Sequence, residues 1–194
     1  MKKEGINILS DTRKRILFNA AKLFAQNGYE GVRTKQIAQA SHVSEVTLFK
    51  YFPQKEVLYN TLLDEFFHTL DLTALVDELS YTNLYEDVLK IANAVAENLA
   101  ENIDIILMRQ KEKTDFLSDK KFDILRDPSY ITILPVFQQY YQNKMIYVLP
   151  ETAANLLMTS LIGSFQLLAG NHFNKEYFFQ YVESFVNVFC RGIQ

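Results

Sequence analysis

The sequence predicts an all-α protein in which a small N-terminal unit of three helices is joined to a larger helical domain. Glycine and proline are rare (Gly 6, Pro 4, in 194 residues), whereas folds built from strands and turns use more of both. Hydrophobic residues form 48% of the chain, enough for a well-packed core. Apolar residues recur at spacings of three and four, which is the period of a helix and not of a strand.

The first helix is expected to begin at a capping Ser10 or Asp11 and to end at Asn27 and Gly28. Asp and Ser are favoured helix caps, and glycine commonly follows the last helical residue. Between these signals the apolar residues form one stripe, consisting of Ile16, Leu17, Ala20, Ala21 and Phe24. This stripe predicts that one face of the helix lies on the core.

A short second helix is expected next, with Thr34 as its cap and with Ile37 and Ala38 facing inward. A polar break of about four residues follows this helix. His42 lies in the break.

The third helix is predicted over about residues 45–51, with Ser44 as its cap. Leu48 and Phe52 are four residues apart and face inward, and Pro53 ends the helix. The side chains that face outward on this helix are therefore Glu45, Val46, Thr47, Phe49 and Lys50.

A fourth, longer helix is predicted from Lys55 to about Leu70, and one side of it carries Val57, Leu58, Leu62 and Phe66. We place a domain boundary here, so that residues 1–54 form the first domain and residues 55–194 form the second. Further helices are expected after residue 71, separated by breaks at 80–83, 115–121, 127–129, 149–151 and 170–175.

The last two helices, predicted over residues 152–169 and 176–191, are apolar almost all round. One core contact does not need that much apolar surface, so a second face is expected to meet another chain. Complete burial within one subunit is the alternative.

Charge is unevenly distributed along the chain. Residues 1–60 contain ten Lys and Arg against five Asp and Glu, whereas the remaining residues contain ten against eighteen. A cationic first unit on an acidic body indicates that only the first unit meets a polyanion. An ordinary solvated surface is the alternative.

Two helices joined by a short turn, the second with polar residues outward, follow the helix-turn-helix plan. Such a short helix fits the major groove of DNA, which is about 12 Å wide. Its spacing alone agrees equally well with simple packing of two helices.

A wider stretch, TRKRILFNAAKLFAQNGYEGVRTKQIAQASHVSEVTLFKYFPQKEVLY, covers residues 12–59. It resembles the N-terminal DNA-binding domain of TetR-family transcriptional regulators. The resemblance implies an all-helical homodimer that is usually a repressor, released from a pseudo-palindromic double-stranded DNA operator by a small molecule. The residues that it places at the DNA are Arg33, Thr34, Lys35, Ser44, Glu45, Val46, Thr47, Phe49, Lys50, Tyr51 and Lys55.

Within that set, the resemblance puts Thr34, Lys35 and Lys55 against the phosphate backbone, where hydroxyl and ammonium groups donate to phosphate oxygens. Glu45 can accept from the amino group of cytosine, and Val46 and Thr47 can touch the methyl group of thymine. We therefore expect these last three residues to select the DNA sequence. Three departures from the family pattern are His42 in the turn, Phe49 for a common Tyr, and Gln54 at a cap position. The resemblance implies a left-handed backbone at His42, where the family most often has glycine, and this conformation costs a non-glycine residue roughly 1 kcal/mol.

An apolar or aromatic effector is expected in a cavity of the second domain, since aromatic side chains with a few polar groups are typical of ligand pockets. The candidate lining residues are Tyr85, Asn93, Met108, Arg109, Tyr130, Phe137, Tyr141, Phe165 and Gln166. The alternative is that they are core residues. The candidate dimer-interface residues are Leu157, Leu161, Phe165, Val182, Phe185 and Phe189.

No enzymatic constellation, cofactor motif or metal-ligand set is expected in this sequence. Asp64 and His68 are four residues apart, but two ligands do not make a metal site. The chain is expected to be cytoplasmic, without a membrane contact, and Cys190 to be a small buried hydrophobe. The alternative function is a DNA-binding dimer that is controlled by a protein partner or acts on the nucleoid without an effector.

Overall fold

The computed structural model describes residues 3–68, 70–110, 128–169 and 173–194. Every regular element in these ranges is a helix, which confirms the predicted fold class. The helices are α1 (Lys3–Asn27), α2 (Thr34–Ala40), α3 (Glu45–Tyr51), α4 (Lys55–His68), α5 (Thr73–Asp77), α6 (Leu84–Glu101), α7 (Ile103–Gln110), α8 (Pro128–Gln142), α9 (Pro150–Leu168) and α10 (Lys175–Ile193). None of these helices combines the length and hydrophobicity that a membrane span requires.

Two units divide the described chain. The first unit contains α1 to α3 with most of α4 and most of α7, and the second contains α5, α6 and α8 to α10. The first unit thus extends past the boundary that we predicted between residues 54 and 55, because the apolar side of α4 lies in its core. The boundary of the functional domains stays a prediction.

The core of the first unit is built from the apolar stripes of α1, α2, α3 and α4, from three residues in the segments between them, and from one residue of α7. Its buried members are Ile16, Leu17, Ala20, Ala21, Phe24, Ala25, Tyr29, Val32, Ile37, Ala38, Leu48, Phe52, Leu58, Tyr59, Leu62, Leu63 and Met108. Three aromatic rings meet in it, since Phe24 and Tyr29 each lie edge-on to Tyr59, with ring centroids 5.3 and 5.2 Å away. The predicted inward residues of the first three helices are confirmed.

Three local predictions are wrong. Ser10 and Asp11 do not cap the first helix, which begins at Lys3; Asp11 instead pairs with Arg15 one turn later, at 3.6 Å. Thr34 is not a cap but the first residue of α2, and Arg33 occupies the cap position with an extended backbone. Val57 is 41% exposed, because it lies about 100° around the helix from the buried Leu58.

The second unit packs α6 against α9 and α10, and α8 against α9, while α5 contacts α6 and α8. α9 and α10 agree closely with the predicted helices. Their buried residues include Leu157, Leu161, Phe165, Phe178, Val182, Val186 and Phe189. Cys190 is buried with them as predicted, and burial raises the pKa of the Cys190 thiol to about 12.

A buried carboxylate joins three parts of the second unit. Asp87 on α6 is fully buried, and its Oδ2 accepts from the Tyr140 hydroxyl of α8 at 2.6 Å and from the Tyr81 backbone N–H at 2.8 Å. Its Oδ1 accepts from the Ser80 N–H at 3.2 Å. The carboxylate therefore fixes both the loop before α6 and one side of α8.

The hydrogen bonds decide the protonation state of this carboxyl group. Burial alone would raise the pKa of Asp87, but the donors from Tyr140, Ser80 and Tyr81 together lower it below its usual value. Burial and the contact with Asp87 raise the pKa of Tyr140. Tyr140 is thus a neutral donor and Asp87 an ionised acceptor at neutral pH.

We predict that Tyr140→Phe lowers the free energy of unfolding by about 1.5 to 3 kcal/mol at pH 7, because a hydrogen bond to a buried charge is lost. A carboxyl group with a lowered folded-state pKa stabilises the protein above its unfolded-state pKa of about 3.9, and the effect is lost as pH falls through the folded value. Urea unfolding should therefore show a smaller difference in free energy of unfolding between Tyr140→Phe and the unmodified protein at acid pH than at pH 7. Tyr141→Phe is the matched control, since Tyr141 is 42% exposed; equal losses in both variants would contradict the role of Asp87.

Candidate nucleic-acid interface

The turn between α2 and α3 is closed by a left-handed residue. His42 has φ 52°, its N–H donates to the Gln39 carbonyl at 3.1 Å, and the Val43 N–H donates to the Ala38 carbonyl at 3.0 Å. This pair of bonds is the Schellman pattern, in which the left-handed position usually holds glycine. The predicted left-handed backbone at His42 is confirmed.

α3 begins at a side-chain cap. The Ser44 Oγ accepts from the Thr47 N–H at 3.0 Å and also lies 2.9 Å from the Thr47 hydroxyl. Ser44 therefore satisfies one of the backbone donors at the helix start, as predicted.

The two faces of α3 differ sharply in exposure. Leu48 is fully buried and Phe52, which follows the helix, is 2% exposed. On the other side Val46 is 67% exposed, Phe49 is 41% exposed, and Lys50 is also exposed. One face of α3 is thus packed on the core, and its opposite face is exposed to solvent.

The first turn of α2 lies beside the first turn of α3. The Thr34 hydroxyl donates to Glu45 Oε1 at 2.9 Å, and the Arg33 backbone N–H donates to Gln36 Oε1 at 2.8 Å. Arg33 and Lys35 are exposed on either side of Thr34. The start of α2 therefore presents two cations, while its hydroxyl is bonded within the protein.

Lys55 contacts the protein's own backbone. Its Nζ donates to the Tyr29 and Val32 carbonyls at 2.8 and 3.1 Å and lies 4.0 Å from the centroid of the Tyr29 ring. These contacts fasten the start of α4 to the segment between α1 and α2. A phosphate contact by Lys55 stays a prediction, and it would compete with these bonds.

Two further residues that sequence reasoning did not select shape the segments on either side of α2. The Arg15 Nε donates to the Ser41 carbonyl at 2.9 Å and so joins α1 to the turn between α2 and α3. A Cβ at Gly31 would lie 2.3 Å from the Asn27 carbonyl oxygen, so only glycine fits there. The spacing of Gly28 and Gly31 signals such a tight segment, whereas nothing in the sequence indicates the partner of Arg15.

The candidate effector residues differ in burial and belong to both units of the described chain. Tyr130, Phe137 and Phe165 are buried, and Met108 lies in the core of the first unit. Tyr85 and Asn93 are half-buried, Tyr141 and Gln166 are exposed, and the side chain of Arg109 lies outside the described residues, as does that of His68.

Asn93 lines an open groove of about 890 Å³ between α6 and α10, together with Leu89, Glu97, Lys175, Glu176, Phe179, Gln180 and Glu183.

Most of the candidate dimer residues are buried within the single chain. Leu157, Leu161, Phe165 and Val182 are fully buried, Phe189 is 4% exposed, and Phe185 is half-buried. They face the neighbouring helices of their own unit. The exposed apolar residues of α9 and α10 are instead Leu156, Leu167, Tyr177, Tyr181 and Val188.

The comparisons with known proteins agree with this geometry. Residues 16–62 match the family of bacterial regulatory proteins, tetR family. An uncharacterized HTH-type transcriptional regulator of Bacillus subtilis, YvkB, is 34% identical over 105 residues, which are 54% of this chain and 54% of that protein. The match thus spans about half the length of this relative.

Solved structures match over nearly the whole chain. The TetR-family transcriptional regulator PfmR from Thermus thermophilus has a TM-score of 0.74 at 20% identity, covering 94% of this chain and 97% of PfmR. The Bacillus subtilis regulator FadR, solved in complex with stearoyl-CoA, has a TM-score of 0.73 at 16% identity, covering 93% and 99%. At such identities these matches show a shared fold.

We predict that Lys55→Met lowers the free energy of unfolding by about 1 to 3 kcal/mol, because two charge-assisted hydrogen bonds and the ring contact are lost. Lys50→Met is the matched control, since Lys50 is exposed on α3, and it should change stability by less than about 0.5 kcal/mol. Urea unfolding of the two variants measures the difference. A Lys55→Met protein of unchanged stability would show that these bonds do not fasten α4.

Proposed function

We propose that this chain is a TetR-family, sequence-specific DNA-binding regulator of transcription, because its residues 16–62 match the model of that family. In the proposed mode α3 enters the major groove, and the protein acts as a repressor that leaves its operator when a small molecule binds. The observation that carries the proposal is the division of α3 into a buried edge and an exposed face that includes Val46 and Lys50.

The exposed face of α3 has the chemistry for reading bases. Val46, at 67% exposure, is an apolar side chain that gains by contact with the methyl group of thymine. Thr47 is half-buried and lies one residue further along the helix. A side chain this exposed contributes little to the packing of the described residues, which favours a role in contact with DNA.

Exposed cations flank this face and supply contacts that do not depend on sequence. Arg33 and Lys35 lie at the start of α2, and Lys50 lies in the last turn of α3. Ammonium and guanidinium groups so placed bind phosphate oxygens and fix the register of the protein on the duplex. Phe49 offers a ring edge but no hydroxyl, and Tyr51 is half-buried against the core.

We propose that two copies of the chain associate through the exposed apolar residues of α9 and α10. Leu156 and Leu167 are eleven residues apart on α9, as Tyr177 and Val188 are on α10, so each pair lies on one helix face. The Ser164 and Tyr181 hydroxyls lie 2.9 Å apart and link α9 to α10. A two-fold dimer would present two α3 helices to a pseudo-palindromic site.

The effector is proposed to be a small apolar or aromatic molecule that binds the second unit. FadR, which shares the fold, was solved with stearoyl-CoA. Leu89 and Phe179 give the groove between α6 and α10 an apolar part of its lining, but among its described lining residues three carboxylates face one lysine. An anionic ligand such as an acyl-CoA is therefore disfavoured in this groove, and a neutral or cationic molecule is favoured.

The function is tested by selecting fragments of the host genome on the purified protein at two salt concentrations. We expect a short pseudo-palindrome that persists at the higher salt, because base contacts do not depend on counterion release. On the selected operator, Lys50→Ala should weaken binding about equally for all sequences, whereas Val46→Ala should reduce the preference at one position of each half-site by about 1 to 3 kcal/mol. Diffuse recovery that disappears with salt would contradict the proposal and favour a nucleoid-type binder.

The interface is tested by Leu167→Asp and Val188→Asp, since a charge in an apolar interface is costly when unpaired. We expect both variants to sediment as monomers and to bind the operator weakly, with unchanged helical content. Ile131→Asp is the matched control, because Ile131 is 58% exposed on α8, outside the proposed interface. Dimers that survive both changes would place the interface elsewhere.

A further inference from the structure

The contact between Thr34 and Glu45 changes the role of both residues, on the premise of the proposed function. A threonine hydroxyl carries one proton and can donate one hydrogen bond at a time. In the structure that proton is donated to Glu45 Oε1 at 2.9 Å. Phosphate oxygens accept hydrogen bonds, so Thr34 cannot donate to a phosphate while this bond is made.

The same bond restricts a flexible side chain. Glutamate has three side-chain torsions, and an exposed glutamate at the start of a helix samples many of their combinations. Here Glu45 is half-buried, and its Oε1 is fixed to the first turn of α2. Among the described residues, no hydrogen bond is made to its second oxygen, Oε2, which keeps its lone pairs for a donor from outside the protein.

We propose that Thr34 is a positioning residue, which holds the Glu45 carboxylate so that Oε2 accepts from a base amino group in each half-site. Glu45 is the first residue of α3, and the N-terminal residues of a recognition helix are the ones that reach base edges. The bond from Thr34 fixes the carboxylate before DNA binds, which reduces the entropy that is lost on binding.

The chemistry of the carboxylate selects cytosine. An ionised carboxylate only accepts hydrogen bonds, and cytosine presents its N4 amino group as a donor in the major groove. Guanine presents two acceptors there and repels a carboxylate, and the adenine amino group lies beside the N7 acceptor. A cytosine is therefore expected at one position of each half-site.

The position of Glu45 also affects binding that does not depend on sequence. A carboxylate near the phosphate backbone repels DNA, so it weakens binding to all sequences unless a base donor compensates. Glu45→Gln removes the charge while keeping the shape and the acceptor for Thr34. This variant should bind random DNA more tightly and discriminate less at the cytosine position.

The test uses the full chain and the operator obtained from genomic selection, with all four bases placed in turn at each half-site position. We expect Thr34→Val, which has nearly the same shape but no hydroxyl, to reduce the preference for cytosine at one position by about tenfold. Thr34→Ser, which restores the hydroxyl, should keep most of the preference. Glu45→Gln should lose the preference at the same position.

The outcomes separate this proposal from simpler ones. Thermal unfolding of each variant controls for stability, and Thr34→Ala provides a second variant without the hydroxyl. Thr34→Val that keeps the wild-type preference, or that weakens binding equally on all sequences with a smaller salt dependence, would overturn the positioning role. Sequence preference that is absent in the unmodified protein would contradict the proposed function itself.

Discussion

The burial of Leu48 is the constraint on which the rest of the first unit depends. A helix of seven residues is not stable in water by itself, because the cost of nucleation is not recovered over so few hydrogen bonds. α3 is held by Leu48 and Phe52, which lie among the side chains of α1, α2 and α4. The remaining face can therefore be exposed and can vary in sequence without loss of the helix.

That arrangement requires a tight change of direction before α3. The Schellman pattern at His42 ends α2 and places Ser44 where its hydroxyl caps α3, so one turn satisfies backbone groups of both helices. The Arg15 side chain donates a hydrogen bond to the Ser41 carbonyl and so stabilises this turn. A non-glycine residue at φ 52° costs about 1 kcal/mol, and histidine persists here because these neighbouring bonds fix the backbone around it.

Sequence reasoning predicted what depends on local pattern and missed what depends on contact between elements. The limits of α3, its cap at Ser44 and the inward Leu48 follow from spacing and capping rules, and the structure confirms them. The bonds of Thr34 to Glu45 and of Lys55 to two carbonyls join residues that are 11 to 26 positions apart, and no local rule indicates them. α9 is apolar on nearly every face, so its periodicity did not tell the buried face from the exposed one. α10 is amphipathic, with Gln180, Glu183 and Asn187 on its exposed side, although the sequence was interpreted as apolar almost all round.

The placement of charge in the first unit favours base contacts over phosphate contacts in the proposed complex. Two of its cations, Arg15 and Lys55, are bonded to backbone carbonyls, and Glu45 adds a negative charge beside the reading face. Each phosphate that is neutralised contributes about 0.9 to the slope of log affinity against log salt. The exposed cations at α2 and α3, with an acidic second unit, therefore supply a modest electrostatic attraction per protomer. In the proposed complex, affinity would then depend on reading two half-sites together, so the proposed dimer would be a condition of specific binding.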